Sequence, residues 1–242
     1  MRILTLSRRT AREMLRDPLT VLFGLGFPLV LLFLLSAIQA NVPVSLFEIK
    51  RLTPGITVFG LSFISLFAAT LISKDRETAL LERLYTTPLT ASDFIFGYAL
   101  PFLPLAAAQC VICYLAAFLL GLKFTVSVIF AVLFILPVSV FFISLGLLCG
   151  SALNVKQVGG ICGALLTNLT AWLSGVWFDL ELVGGAFKQA AYRLPFYHSV
   201  ELERAVLYGN YSETLPHLLW VLGYSLAAAV LSAAVFLRQM KK

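Results

Sequence analysis

Six long stretches without a charged residue alternate with polar segments along this chain of 242 residues. They run from Pro18 to Phe47, Leu52 to Ser73, Phe94 to Leu122, Phe124 to Val155, Gln157 to Phe178 and Thr214 to Leu237. The shortest has 22 residues, and at about 1.5 Å per residue a helix of that length crosses a hydrocarbon core of roughly 30 Å. The pattern predicts an all-α polytopic membrane protein with six transmembrane helices. Residues 1–242 form a single transmembrane domain in this reading, because the loop around Asn154, Lys156 and Gln157 is too short to hold a second one.

Three polar segments are patterned rather than merely hydrophilic. Residues 1–17 place Arg2, Arg8, Arg9, Arg12 and Arg16 on one helical arc and Ile3, Leu6, Met14 and Leu15 on the other. This reads as an interfacial helix that Pro18 ends, with its arginines either near anionic headgroups or serving only as a topological anchor. Residues 73–93, SKDRETALLERLYTTPLTASD, put Asp75, Arg76, Glu82 and Arg83 on one arc and Leu80, Leu81, Leu84 and Tyr85 on the opposite one. Glu77 falls among the leucines, where a charged carboxylate needs a partner. Lys74 or an arginine of the N-terminal helix is the expected one. Pro88 should close this helix, and Thr90 with Asp93 has the capping-box spacing that starts the next. Residues 179–213 alternate charge with Phe187, Leu194, Val200, Val206 and Tyr208, which suits short re-entrant helices before the sixth span.

Within the spans, Gly24, Gly26 and Pro28 should weaken or bend the first, and Pro101 with Pro104 should kink or break the third. Gly146 and Gly150 have the spacing that lets helices approach closely. In the fifth span Gly160, Gly163, Thr167, Thr170 and Ser174 fall on one stripe about 80° wide at the α-helical period. Such a stripe lines a passage or packs against another helix, including that of a second copy.

Composition agrees: 60% of residues are hydrophobic and 12% charged, with mean hydropathy +0.94. The first apolar run is too long for a signal peptide and lacks a cleavage site. Of the eighteen Lys and Arg residues, twelve fall on the inner side if both termini are cytoplasmic and six on the outer, which favours that orientation. The net charge of +6 is spread along span boundaries and forms no aromatic-interleaved patch, so no nucleic-acid partner is expected. Cys110 and Cys113 have redox or metal spacing but no second pair, and they read as small packing residues. There is no phosphate-binding GxxxxGK[ST] loop, no HExxH and no GxSxG. His198 and His217 have no plausible ligand set, so neither a metal nor a catalytic group is assigned. Transport, channel formation and scaffolding remain. A channel usually offers a filter or a charged ring, and a carrier ionisable groups at mid-membrane, and neither is visible here.

Three stretches in order resemble the membrane subunits of type-2 ABC exporters. RETALLERLYTTPLT (Arg76 to Thr90) looks like that family's cytoplasmic insert, LSGVWF (Leu173 to Phe178) like the end of its fifth span, and LPFYHSVELERAVLYG (Leu194 to Gly209) like its outer re-entrant helices. Thr78 stands where Gly is frequent and Asp179 where Pro is. The resemblance implies a permease half that pairs with a second or related permease copy in a prokaryotic plasma membrane. It also implies a separate ATPase subunit that holds ATP and Mg. This chain would bind no cofactor itself, and Asp75, Arg76, Glu77, Glu82 and Arg83 would couple it to that motor. An ATPase-independent channel or carrier is the alternative.

Overall fold

The computed structural model describes residues 2–42, 45–78 and 90–240. Among them all regular structure is helical. Helix α1 (Arg2–Arg16) ends at Asp17, whose carboxylate accepts from the Leu19 amide at 3.1 Å and the Thr20 hydroxyl at 3.0 Å. That cap, with Pro18 at the first helical position, turns the chain into the first long helix. This comprises α2 (Pro18–Val21), a π-helical turn (Leu22–Gly26) and α3 (Phe27–Asn41). The expected bend at Gly24 and Gly26 therefore takes the form of a π segment, set against Phe67.

Helix α4 (Ile49–Glu77) is the axis of the molecule. Of its most apolar window, 89% is buried inside the chain, against 22–50% for the other long helices. Close packing against α7 (Val126–Ala152) makes this possible. A Cβ on Gly146 would lie 2.5 Å from the Ser65 carbonyl oxygen, and one on Gly150 would lie 2.6 Å from that of Ala69. The Gly146 and Gly150 spacing thus marks a real backbone contact.

The third stretch breaks at Pro101, into α5 (Ala91–Ala99) and α6 (Phe102–Leu119), while Pro104 lies in the first turn of α6. Thr90 and Asp93 form the expected capping box at the start of α5. After α7 come α8 (Val155–Val158), a π-helical segment (Gly159–Leu166) and α9 (Thr167–Leu173). Short helices α10 (Leu180–Val183) and α11 (Gly185–Arg193) lead to α12 (Pro195–Tyr208). Gly209, at φ +75°, ends α12 in the left-handed conformation, and α13 (Tyr211–Met240) closes the bundle.

Five helical stretches are long and apolar enough to cross a membrane: Pro18–Asn41, Ile49–Glu77, Ser92–Leu119, Val126–Ala152 and Tyr211–Gln239. Residues 155–173, read from sequence as part of a fifth of six spans, are not among them. They carry Lys156, Gln157 and Asn168, which make the stretch less apolar than the other five. Nor is α12 an ordinary surface loop, since it packs against α4, α7 and α13 and is buried on most faces.

Candidate functional site

The last turn of α4 gathers the densest set of polar contacts between helices. Successive residues on a helix point about 100° apart, so Asp75, Arg76 and Glu77 face three different neighbours. Asp75 is 3% exposed. Its carboxylate accepts both guanidinium nitrogens of Arg9 from α1, at 2.7 and 2.8 Å. It also accepts the Tyr98 hydroxyl from α5 at 2.6 Å. Arg9 further donates to Glu13 at 2.7 Å. Hydrogen bonding to Asp75 raises the Arg9 guanidinium above its already high ordinary value, which fixes it as a cation. A two-pronged charged contact of this kind holds orientation as well as distance.

Arg76 points the other way. It donates to the carbonyl oxygens of Ser151 and Leu153, the latter at 3.0 Å, and to Gln239 Oε1 of α13 at 3.1 Å. Those carbonyls lie at the C-terminal end of α7, where a cation is favoured by the helix dipole. Glu77 accepts the backbone N–H of Val155 at 2.9 Å, at the N-terminus of the helical stretch that follows. A carboxylate is favoured there for the opposite reason. Adjacent residues of α4 therefore grip the two sides of one turn, and Asn154 with Gln157 completes that turn as a capping box.

This geometry corrects two expectations. Asp75 and Arg76 do not share one charged arc: Asp75 is buried and Arg76 half-buried against different neighbours, while Glu77 is exposed. The amphipathic reading treated the segment from Ser73 up to Pro88 as one helix with one buried side. Positions 75–77 instead end a helix surrounded by neighbours. The partner of Glu77 is likewise a backbone N–H, and neither Lys74 nor an arginine of α1. Leu80, Leu81, Glu82, Arg83, Leu84, Tyr85 and Pro88 lie outside the described residues.

The basic face of α1 divides. Arg9 turns inward to Asp75, while Arg8, Arg12 and Arg16 stay exposed along a cavity they share with Lys74. The small-residue stripe divides as well. Thr170 and Ser174 are fully buried within the chain, whereas Gly160 is exposed with nothing near its Cβ position. Gly163 and Thr167 are intermediate. The cause is the π segment, whose wider turn rotates the earlier positions away from the face that the α-helical period assigns them.

In and beside α12 lie groups to which the sequence reading gave no role. Arg204 of α12 donates to Glu201 at 2.7 Å and to the carbonyls of Arg51 at 3.2 Å and Gly175 at 3.3 Å, which ties α12 to the start of α4 and to the turn after α9. His198 Nδ1 lies 2.8 Å from His217 Nδ1, and its ring stacks on Trp220. Burial lowers the pKa of His198. Glu203 is fully buried, and neither carboxylate oxygen has a hydrogen-bond partner among the described residues. Burial pushes its pKa well above the usual carboxylate range, so the side chain is held as the neutral acid. A signal for Glu203 was present: it sits at i+3 from Val200 and i−4 from Leu207, in the middle of an apolar stripe.

Residues 1–208 match the family model of the ABC-2 type transporter. Among curated proteins none matches the chain. The match covers most of the sequence, and the chain belongs to the ABC-2 type transporter family. It is a multi-pass transmembrane subunit of an ABC transporter, the permease component and not itself catalytic.

Proposed function

We propose that this chain is the membrane half of an ATP-driven exporter, working as a dimer with a separate ATPase subunit that binds ATP and Mg. In this reading the chain crosses a plasma membrane six times with both termini inside. Residues 157–178 supply the fifth crossing, less apolar because Gly160 and its neighbours face the passage or the second permease copy rather than lipid. Segments 179–193 and α12 re-enter from outside. The motor engages residues 73–93, with Glu82 and Arg83 beyond the described turn and Asp75, Arg76 and Glu77 at its root.

One observation carries the coupling role: three consecutive charged residues at the end of the central helix each grip a different neighbour. A displacement applied just beyond Glu77 would act at once on α1 and α5 through Asp75, and on the turn between α7 and α8 through Arg76 and Glu77. An apolar contact there could slide. Directional charged hydrogen bonds transmit rotation as well as translation.

The test is purification of the full chain from its native membrane. An ATP-hydrolysing subunit should accompany it in constant ratio, and Glu82→Ala with Arg83→Ala should release that subunit while the permease stays folded. If no such subunit accompanies the wild-type chain under any mild extraction, the reading fails. Retention of the subunit by the double variant would remove Glu82 and Arg83 from the interface.

A further inference from the structure

Between α1, α2, α4 and α6 lies a cavity of about 690 Å³ with a charged rim and an apolar floor. Arg8, Arg12 and Arg16 stand at i, i+4 and i+8 along one side of α1, and Lys74 faces them from α4. None of the four forms an ion pair among the described residues. Two acids share the rim, but both are already engaged. Glu13 is held by Arg9. Asp17 caps α2 and accepts from Thr20. Arg9 is shared between Glu13 and Asp75 and Asp17 keeps its negative charge, but Arg8, Arg12, Arg16 and Lys74 outnumber what these acids leave over, so the rim is net positive above Met14, Phe67, Leu71 and Phe102. Beside it Leu15, Leu19 and Leu22 are 59–64% exposed, an apolar band that a membrane would cover.

We propose that this cavity is a discrete binding site for one anionic phospholipid. Its phosphate would lie among Arg8, Arg12, Arg16 and Lys74, and the start of an acyl chain would lie on the apolar floor. The proposal is sharper than attraction of a basic helix to a charged surface, since it names one slot with walls from four helices and a stoichiometry of one. A free phosphate ion or a soluble nucleotide would satisfy the rim and leave the floor unused. A zwitterionic lipid carries the same phosphate with a compensating cation and gains less from four positive groups. A lipid held here also bridges α1 to the last turn of α4, beside the joint that Arg9 and Asp75 already make, so its binding should stiffen that joint.

The experiment uses the full chain purified in mild detergent, without nucleotide, so its outcome is independent of any motor subunit. Native mass spectrometry and thermal unfolding are followed as phosphatidylglycerol, phosphatidylcholine, glycerol 3-phosphate and inorganic phosphate are added separately. One phosphatidylglycerol per chain should be retained, with a saturable rise in unfolding temperature. At least tenfold more phosphatidylcholine should be needed for the same rise, and the two soluble phosphates should have no effect at matched concentration. Arg12→Gln with Arg16→Gln should weaken phosphatidylglycerol binding at least tenfold, as should Lys74→Gln alone. Lys123→Gln, on a different loop, should leave it unchanged. Equal effects of the two lipids would overturn the proposal, and so would stabilisation by inorganic phosphate or unaltered binding in the Arg12 and Arg16 variant.

Discussion

Replacing Glu203 with Gln should stabilise the protein, and the gain should grow with pH. In the folded chain the carboxyl is fully buried without a hydrogen-bond partner among the described residues, and burial holds it neutral by raising its pKa well above the ordinary 4.5. In the unfolded chain it ionises near that ordinary value. Between the two values the folded state keeps a proton that the unfolded state has released. Stability therefore falls as pH rises, by about 1.4 kcal/mol per pH unit for one group. It is fully present below 4.5 and lost progressively up to the folded pKa. Glu203→Gln has no proton to lose at this position, so its stability relative to wild type should climb as pH rises from 4.5 towards the folded pKa, by at most about 1.4 kcal/mol per pH unit.

The assay is reversible unfolding in mixed micelles at three pH values across that range, with wild type and variant measured side by side. Every other titrating group then cancels in the difference. Glu203→Leu adds a second comparison. It removes the unpartnered polar atoms that Gln keeps, and it should exceed Glu203→Gln by about 1–3 kcal/mol, independent of pH. If the wild-type and Glu203→Gln curves run parallel across the range, Glu203 is already ionised or has a partner, and the reasoning is refuted.

The joint at α4 should fail unequally. Asp75→Asn leaves Arg9 half-buried without its carboxylate and should cost roughly 2–3 kcal/mol, less than a fully buried pair because the Arg9 side chain is one-third exposed. Tyr98→Phe removes one hydrogen bond to the same carboxylate and should cost about 1–2 kcal/mol; denaturant titration of both variants checks the order. Gly146→Ala forces a methyl against the Ser65 carbonyl and should cost at least about 1–3 kcal/mol, whereas Gly160→Ala, with open space around it, should leave thermal stability of the chain unchanged. Burial lowers the pKa of His198, so wild type should lose stability as pH falls through the ordinary value of 6.5. His198→Gln should flatten that loss, and unfolding midpoints at pH 7.5 and pH 5.5 would show it.

Helix positions were legible wherever one residue decides them. Proline has no N–H to donate and restricts the residue before it, and helices do start or break at Pro18 and Pro101, although Pro54, Pro137 and Pro216 lie inside α4, α7 and α13. Thr90 and Asp93 satisfy each other across three residues, and their capping box needs nothing from elsewhere in the chain. Gly146 and Gly150 belong partly to this class. Spacing reveals a smooth strip of helix surface but not the partner, and only the fold shows that the strip meets Ser65 and Ala69 of α4. The stripe from Gly160 to Ser174 shows where periodicity misleads. An eight-residue π segment is invisible to an α-helical wheel, and it divides residues that the wheel places together.

The joint was hidden for a different reason. Asp75 meets Arg9 across 66 positions of sequence, and Glu77 meets Val155 across 78. A helical wheel at the end of α4 contains neither partner, and so it sorts charges into a wet face. Inside a bundle the same charges become affordable only when each finds a specific, oriented group. That requirement makes the site informative. Asp75 and Arg76 are costly on a helix packed this closely unless both are satisfied, and together with the exposed Glu77 their partners fix the distances from α4 to α1, α5, α7 and α8. The turn that looked in sequence like the wet surface of a coupling helix is in the structure the point where that helix would be rooted in the bundle.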